Sequence, residues 1–574
     1  MATSKAQDVA TPVKQISMAQ AGEVILNNMF YRFQGARPEM EDRLQAAYKK
    51  RFGYEMMTML PTDEVRAVYL EGPPGNGKTM THQWAAKEFA KMMDMRFVKN
   101  PSLNMVSSGD VGINDFVYAV IELAGETSNK EVAGLMTKMK VKMPNGETTD
   151  FMGHIQDWRL AATTMGGYAY VNYDDFPTAS HQVQNAMLGT LLNGKSSNIS
   201  ITMNDLITAD KEIDANGDQI FKLNPERAAA VRENASTVAI GLCGNRGDRD
   251  GNKTYDITTA TADRVMRFDV FDTLDAFNSR TLNNKTDTTS DAGMCGFLEA
   301  NKEFFFKLTM RESGMMGQSC TSRGWDALMT QMRQIVHSNG GIAGIANMNE
   351  EAQLKVQNQI LTASGGIVSS EASTKLAAYY TELFVGAAPI ADQIINKGIV
   401  DEARIEQKYG AGDAAGKSAS TMNFGYSLAS SLSAFTATAL TNILKDKKDL
   451  DAFNKGGDLN TPLVKKVREV MCNFSMGINQ LKQGPMRSFA LDQMSRRLIA
   501  NIPSLYTNNG AYRIPERQTA MVMAMGMLVD NTKYMNNSYI DDIKKTLTQQ
   551  GGFEDAMSFC KDKMFSNKAK AAAP

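Results

Sequence analysis

The chain has 574 residues, enough for two to four domains at about 150 residues each, and 43% of them are hydrophobic and 22% charged. That balance is globular and excludes an intrinsically disordered chain. A formal net charge of -1 excludes a surface that is basic throughout and holds nucleic acid by counterion release, though a local basic path is compatible with it.

In chain order, the N-terminal "MATSKAQDVATPVKQ" lacks the apolar core of a secretory signal, and residues 1–20 are expected to form a flexible arm. From Ala21 to Met59 the pattern is helical, ending near Pro61. Between Val65 and Val270, β-rich runs alternate with helical ones, among them 65–70 (VRAVYL), 96–100 (RFVKN), 167–173 (GYAYVNY) and 236–243 (STVAIGLC). Strands separated by helices predict an α/β domain with a mostly parallel sheet and helices on both faces. Asn145-Gly146, Asn216-Gly217 and Asp250-Gly251 are turn signals and predict hairpins inserted into that domain. "DANGD" and "DRDGNKTYD", which contain two of these dipeptides, lack calcium-loop spacing and read as hairpin turns.

Past Phe277 the sequence is mostly helical, with loops expected at 411–417, 454–462 and 506–515, helical spacing at 517–535 and a tail at the end. Residues 424–444 are uncharged and long enough to span a bilayer. Seven Ser or Thr hydroxyls, with Leu428, Leu432, Phe435, Leu440 and Leu444 at helical spacing, predict a buried helix of a globular domain instead, with no membrane span. Five cysteines stand apart and only four histidines occur, which disfavours zinc or a disulfide framework and suits a reducing cytoplasm, the host's if the chain is viral. His82 and His181 have no second histidine at ligand spacing and take no metal role.

The sharpest motif is Gly72-Pro73-Pro74-Gly75-Asn76-Gly77-Lys78-Thr79, a gapless G-x-x-x-x-G-K-[ST] after an apolar strand and before a helix. Glycines let backbone amides turn inward around phosphates, and the helix N-terminus adds partial positive charge. Lys78 would reach the β and γ oxygens and the Thr79 hydroxyl would ligate Mg²⁺. Residues 72–79 with Met80 therefore form the expected ATP-binding set. Such a loop needs a carboxylate at the end of a second strand. The run 168–173 supplies Asp174-Asp175: Asp174 for the Mg²⁺ shell with Thr79, and Asp175 to polarise the attacking water.

Together with 241–270 (GLCGNRGDRDGNKTYDITTATADRVMRFDV), these residues resemble AAA+ ATPases of the MoxR class, of the kind often partnered with von Willebrand factor A domain proteins. The resemblance spans roughly Glu23 to Asn396. It implies an AAA+ αβα nucleotide-binding domain over 21–276, a helical lid over 277–404 and a helical C-terminal region over 405–574. Asn245 then matches the polar sensor that holds the attacking water or touches the γ-phosphate. Arg264 matches the arginine finger that reaches a neighbouring subunit's site, with Arg267 as an alternative or additional finger. Arg323 matches the second sensor, with Arg487 as its competitor. Two positions depart from the family: Asp175 stands where most relatives have Glu, and Val265 where they have Phe.

The function implied is an ATPase that forms a homo-oligomeric ring, six-membered in expectation, and remodels or assembles a client or adaptor protein, with a von Willebrand factor A protein as the implied partner. The segment Glu131–Arg159 is the expected docking insert. Two alternatives stay open. One is a nucleic-acid motor or loader, for which the lysines of 137–143 (TKMKVKM) are the nearest support. The other is a nucleotide-gated scaffold with little turnover, motivated by the short Asp175 side chain.

Overall fold

The computed structural model describes residues 13–501, apart from 61, 125–134, 143–147, 156–157, 164, 189–190, 192–209, 214–218, 223, 233, 248–253, 256, 283–288, 308–318, 411–417 and 444–461. The three Asn-Gly and Asp-Gly dipeptides, the loops expected at 411–417 and 506–515, most of that at 454–462, Leu444, Cys560 and everything after 501 lie outside the described residues. Contacts divide the chain into Met1–Asp272 and Thr273–Pro574.

The first unit is built on seven parallel strands in the order β1-β11-β2-β10-β7-β4-β3. They are β1 (Gln15–Ser17), β2 (Ala67–Glu71), β3 (Arg96–Lys99), β4 (Asp115–Glu122), β7 (Tyr168–Asp174), β10 (Val238–Gly244) and β11 (Val265–Phe271). Central strands of a parallel sheet are covered on both faces, so they read as continuous apolar runs: every residue of β2 and β10 is buried. Alternate residues separate into two cores. Val68, Leu70, Tyr118, Tyr168, Tyr170 and Ala239 pack with α1 (Met18–Phe33), α2 (Glu41–Phe52) and α3 (Lys78–Met92). Tyr69, Val117, Ala119, Val171, Tyr173, Ile240 and Leu242 face the opposite layer. Phe33 seals the first core, its ring 4.6 Å from Tyr168 and 5.1 Å from Phe89.

The helical expectation for 21–59 resolves into α1, a single 3₁₀ turn at Pro38–Met40 and α2, which ends on Gly53 in the left-handed conformation. The arm expected over 1–20 is corrected where it is described. Gln15–Ser17 pairs with Asp269–Phe271, and Ser17 caps α1 in a capping box with Gln20. Backbone groups at an open sheet edge find partners there, which composition does not reveal.

Two hairpins interrupt the sheet. β5 (Leu135–Lys142) pairs antiparallel with β6 (Thr148–Ile155), and β8 (Asp210–Ile213) with β9 (Gln219–Lys222). The registers Lys142↔Thr148 and Ile213↔Gln219 bracket the Asn145-Gly146 and Asn216-Gly217 signals.

The second unit is helical. Helix Ser322–Ser338 buries Trp325, Leu328, Met329, Met332 and Val336 along one stripe, and Thr321 caps it by accepting from the Gly324 amide. The uncharged Ala419–Ile443 helix is central. Leu428, Leu432 and Leu440 are buried, and three of its buried hydroxyls donate to carbonyls: Ser430 to Ala292, Ser433 to Ala490 and Thr436 to Leu432, at 2.7–2.9 Å. Among the described residues, no helix is long and apolar enough to cross a membrane. One buried cluster runs from Phe277 to Met494. The boundary expected at 404/405 therefore does not separate two cores: a helix without a polar face must be covered by helices from both sides of it in sequence. The sheet unit also ends at Asp272 rather than at 276.

Candidate functional site

In an open parallel sheet, ligands bind outside the carboxyl ends of the strands. At that end β2 runs into the glycine loop and α3 begins at Lys78. Gly75 and Gly77 have φ of 76° and 84°, a left-handed backbone that glycine adopts freely and that turns the loop into the first helical turn. Gly72 is required for a different reason. Its amide donates to the Gly244 carbonyl at 3.2 Å, and a Cβ there would stand 2.4 Å from the Val270 carbonyl oxygen. The buried Asn76 ties the loop to the same carbonyl at 2.9 Å. The loop is thus held by the ends of β10 and β11.

Lys78 is buried, and its Nζ donates to the carbonyls of Gly72 and Pro73, both at 2.9 Å, and to Oδ1 of Asn245 at 3.1 Å. Asn245 follows β10, the strand between the phosphate-loop strand and β7. One residue along α3, the Thr79 hydroxyl donates to Oδ2 of Asp174 at 2.8 Å, while Oδ1 of Asp174 accepts the Asp175 amide at 3.1 Å. Four residues expected to act together, far apart in sequence, are therefore within hydrogen-bond reach. The donor set suits a phosphate chain with a hard divalent cation: an ammonium in a backbone cradle, then a hydroxyl and a carboxylate side by side.

Asp175 holds φ 52° and ψ 35°, and its carbonyl accepts both the amide and the hydroxyl of Thr178. Aspartate tolerates the left-handed region better than most non-glycine residues, which gives a backbone reason for Asp at this position. The Met80 side chain, on the first turn of α3, is exposed.

The arginines are placed differently. Arg264 lies just before β11 and folds back to donate to the Ala260 carbonyl at 2.8 Å. Val265 pairs with Ala67 and Asp269 with Glu71, so Arg264 sits at the amino edge of the sheet, a strand length of roughly 16 Å from the end that carries the loop. Arg267 is held by Glu71 at 2.6 Å, and Arg246 by Asp269 at 3.6 Å. In the helical unit Arg323 is exposed near the start of its helix, whereas Nε of Arg487 donates to the Leu481 carbonyl at 2.7 Å.

Four residues near the site carry no recognised motif. Glu71, directly before Gly72, is buried against Arg267. Tyr118 donates to the Thr79 carbonyl at 3.3 Å, and the Cys243 thiol donates to Oδ1 of Asn172 at 3.2 Å. Burial, and then the Asp174 carboxylate, push the Cys243 thiol up, so it stays protonated. The available signal was a polar residue within an otherwise apolar strand. His82, behind them, is buried with Nδ1 2.6 Å from the Tyr170 hydroxyl, and burial pushes its pKa down to about 3.

Neither a protein-family profile nor a curated protein sequence matches the chain. Among solved structures, a RuvB mutant of Thermotoga maritima is similar over 64% of this chain and 79% of that one, with 12% identity and a TM-score of 0.27. A likeness of that grade carries no functional argument.

Proposed function

We propose that this chain binds ATP with Mg²⁺ and hydrolyses it as a subunit of an AAA+ ring of the MoxR class, using turnover to remodel or assemble a partner protein. The observation that carries this reading is the convergence of Lys78 with Asn245 and of Thr79 with Asp174 at the open end of a parallel sheet. Lys78 exchanges carbonyl and amide acceptors for phosphate oxygens, and Asn245 is then free to orient water. Thr79 and Asp174 would hold the metal, and Asp175 would polarise the nucleophile. Mg²⁺ held there would supply charge neutralisation for the phosphates.

The placement of Arg264 supports a ring. A finger at the opposite sheet edge from its own phosphate loop can serve only a neighbour's. Arg323, exposed near the start of its helix, remains the second-sensor candidate, with Arg487 as its competitor. The β5–β6 hairpin within Glu131–Arg159 is the proposed docking element for a von Willebrand factor A partner.

The test is MgATP hydrolysis by the purified chain, with Lys78→Ala as the control, followed by co-purification of partners with ATP and magnesium. Nucleotide binding without phosphate release would sink the enzymatic reading and leave the scaffold. Lys138, Lys140 and Lys142, at alternate positions of β5, favour a nucleic-acid client as the second reading. A steep loss of DNA binding between two salt concentrations would support that client.

A further inference from the structure

Beneath α3, alternate residues of two neighbouring strands form two columns: Tyr170, Asn172 and Asp174 along β7, and Gly241, Cys243 and Asn245 at β10. The outer and inner ends of the columns grip α3. Lys78 meets Asn245, Thr79 meets Asp174, and His82 meets Tyr170 over Gly241, where a Cβ would stand 2.5 Å from Nδ1 of His82. In the middle stand Asn172 and Cys243, both fully buried, with the thiol donating to the amide oxygen.

That pair is unexpected on stability grounds. The Nδ2 of Asn172 faces the Tyr118 hydroxyl but makes no hydrogen bond of normal length among the described residues, and a poorly paired buried donor is unfavourable where an apolar side chain of the same size would pack. The pair also lies close to both groups that would face the metal. Asn172 precedes Asp174 on the same face of β7, and Cys243 lies beside Asp174 and approaches the Thr79 hydroxyl.

We infer that Asn172 and Cys243 are positioning residues for the Mg²⁺ end of the nucleotide site. The hydrogen bond between β7 and β10 fixes the lateral spacing of the strand ends, and the sulfur fills the floor on which the Thr79 hydroxyl and the Asp174 carboxylate meet. The inference rests on the nucleotide reading above and adds that metal affinity, rather than phosphate affinity, depends on the pair. The two are separable because the phosphate cradle is anchored on the backbone carbonyls of Gly244 and Val270, which the substitutions leave in place. Outer partners of metal ligands act in this way, by restricting the orientations of groups they do not replace.

The test is calorimetric titration of the full chain with ADP, in excess EDTA and across a MgCl₂ series, for wild type, Cys243→Ala, Asn172→Leu and Cys243→Ser. Cys243→Ala and Asn172→Leu should each raise the half-saturating Mg²⁺ concentration by about tenfold, with affinity in EDTA within about twofold of wild type. Cys243→Ser, which keeps a donor toward Asn172, should recover most of the shift. If one of the first two variants fails to fold, the other, altered on the opposite strand, carries the test. Equal weakening with and without magnesium, or no change in either, overturns the positioning role. A folded wild type that binds no ADP in either condition overturns the nucleotide reading, and this inference with it.

Discussion

The proposed trans action of Arg264 admits a quantitative test. The register leaves Arg264 roughly 16 Å from the loop-bearing end of its own sheet, beyond the reach of its side chain, so as the proposed finger it would have to serve another subunit's phosphate. Removing such a finger lowers turnover about 10³–10⁵-fold, which corresponds to about 4–7 kcal/mol of transition-state stabilisation. Arg264→Ala alone should therefore be nearly inactive, as should Lys78→Ala alone. An equimolar mixture of the two separates the geometries. A competent site needs a subunit with Lys78 beside a neighbour with Arg264, and random assembly supplies that pairing at about one quarter of the sites, whatever the ring size. Phosphate release from co-refolded or subunit-exchanged mixtures should recover to about one quarter of the wild-type rate. A mixture as inactive as its components would refute trans action, because a finger acting on its own subunit is never restored by mixing. Unchanged turnover in Arg264→Ala alone would remove the finger assignment altogether.

Other outcomes follow from the same geometry. Gly72→Ala places a methyl 2.4 Å from a backbone oxygen that cannot swing away, so a loss of about 1–3 kcal/mol in thermal unfolding and loss of ADP binding are expected. Asp175→Asn tolerates the left-handed backbone and should preserve nucleotide binding while lowering turnover about 10²–10⁴-fold in a phosphate-release assay. Asp175→Glu, by contrast, should lower the melting temperature, since the longer side chain is less at ease at φ 52°. His82 is neutral in the folded chain, with a pKa near 3, and the unfolded chain takes up its proton near 6.5. Stability from this group is therefore present above pH 6.5 and falls as pH drops toward about 3, by at most about 1.4 kcal/mol per unit. A melting-temperature series should show that slope flattened in His82→Gln; an unchanged slope would contradict the buried neutral state.

Much of the fold was legible because parallel strands and phosphate loops impose local rules. The β-rich runs at 65–70, 96–100, 167–173 and 236–243 became β2, β3, β7 and β10, and two Asn-Gly signals fell between paired strands. The hydroxyl-rich run from Phe424 onward read correctly as a buried helix because serine and threonine can return their protons to helical carbonyls. β1 was not legible: Gln15–Ser17 has no pattern of its own and becomes a strand only because β11 presents a free edge. A boundary at 404/405 was not legible either, since helical spacing marks a face to be covered without saying which helices cover it.

By itself, the amino-acid order determined the chemistry on offer: a glycine loop followed by Lys78 and Thr79, a strand ending in Asp174-Asp175, and Asn245 closing another. Each of these rests on residues adjacent in the chain, where backbone freedom and side-chain type act directly. Tertiary structure alone decided which groups meet. Strand order put Asn245 between the glycine loop and the acidic strand, register carried Arg264 to the far edge from its own glycine loop, and close strand pairing left Asn172 and Cys243 beneath Thr79 and Asp174. The physical reason is that lateral neighbours in a parallel sheet are chosen by long crossovers, and no local periodicity records that choice.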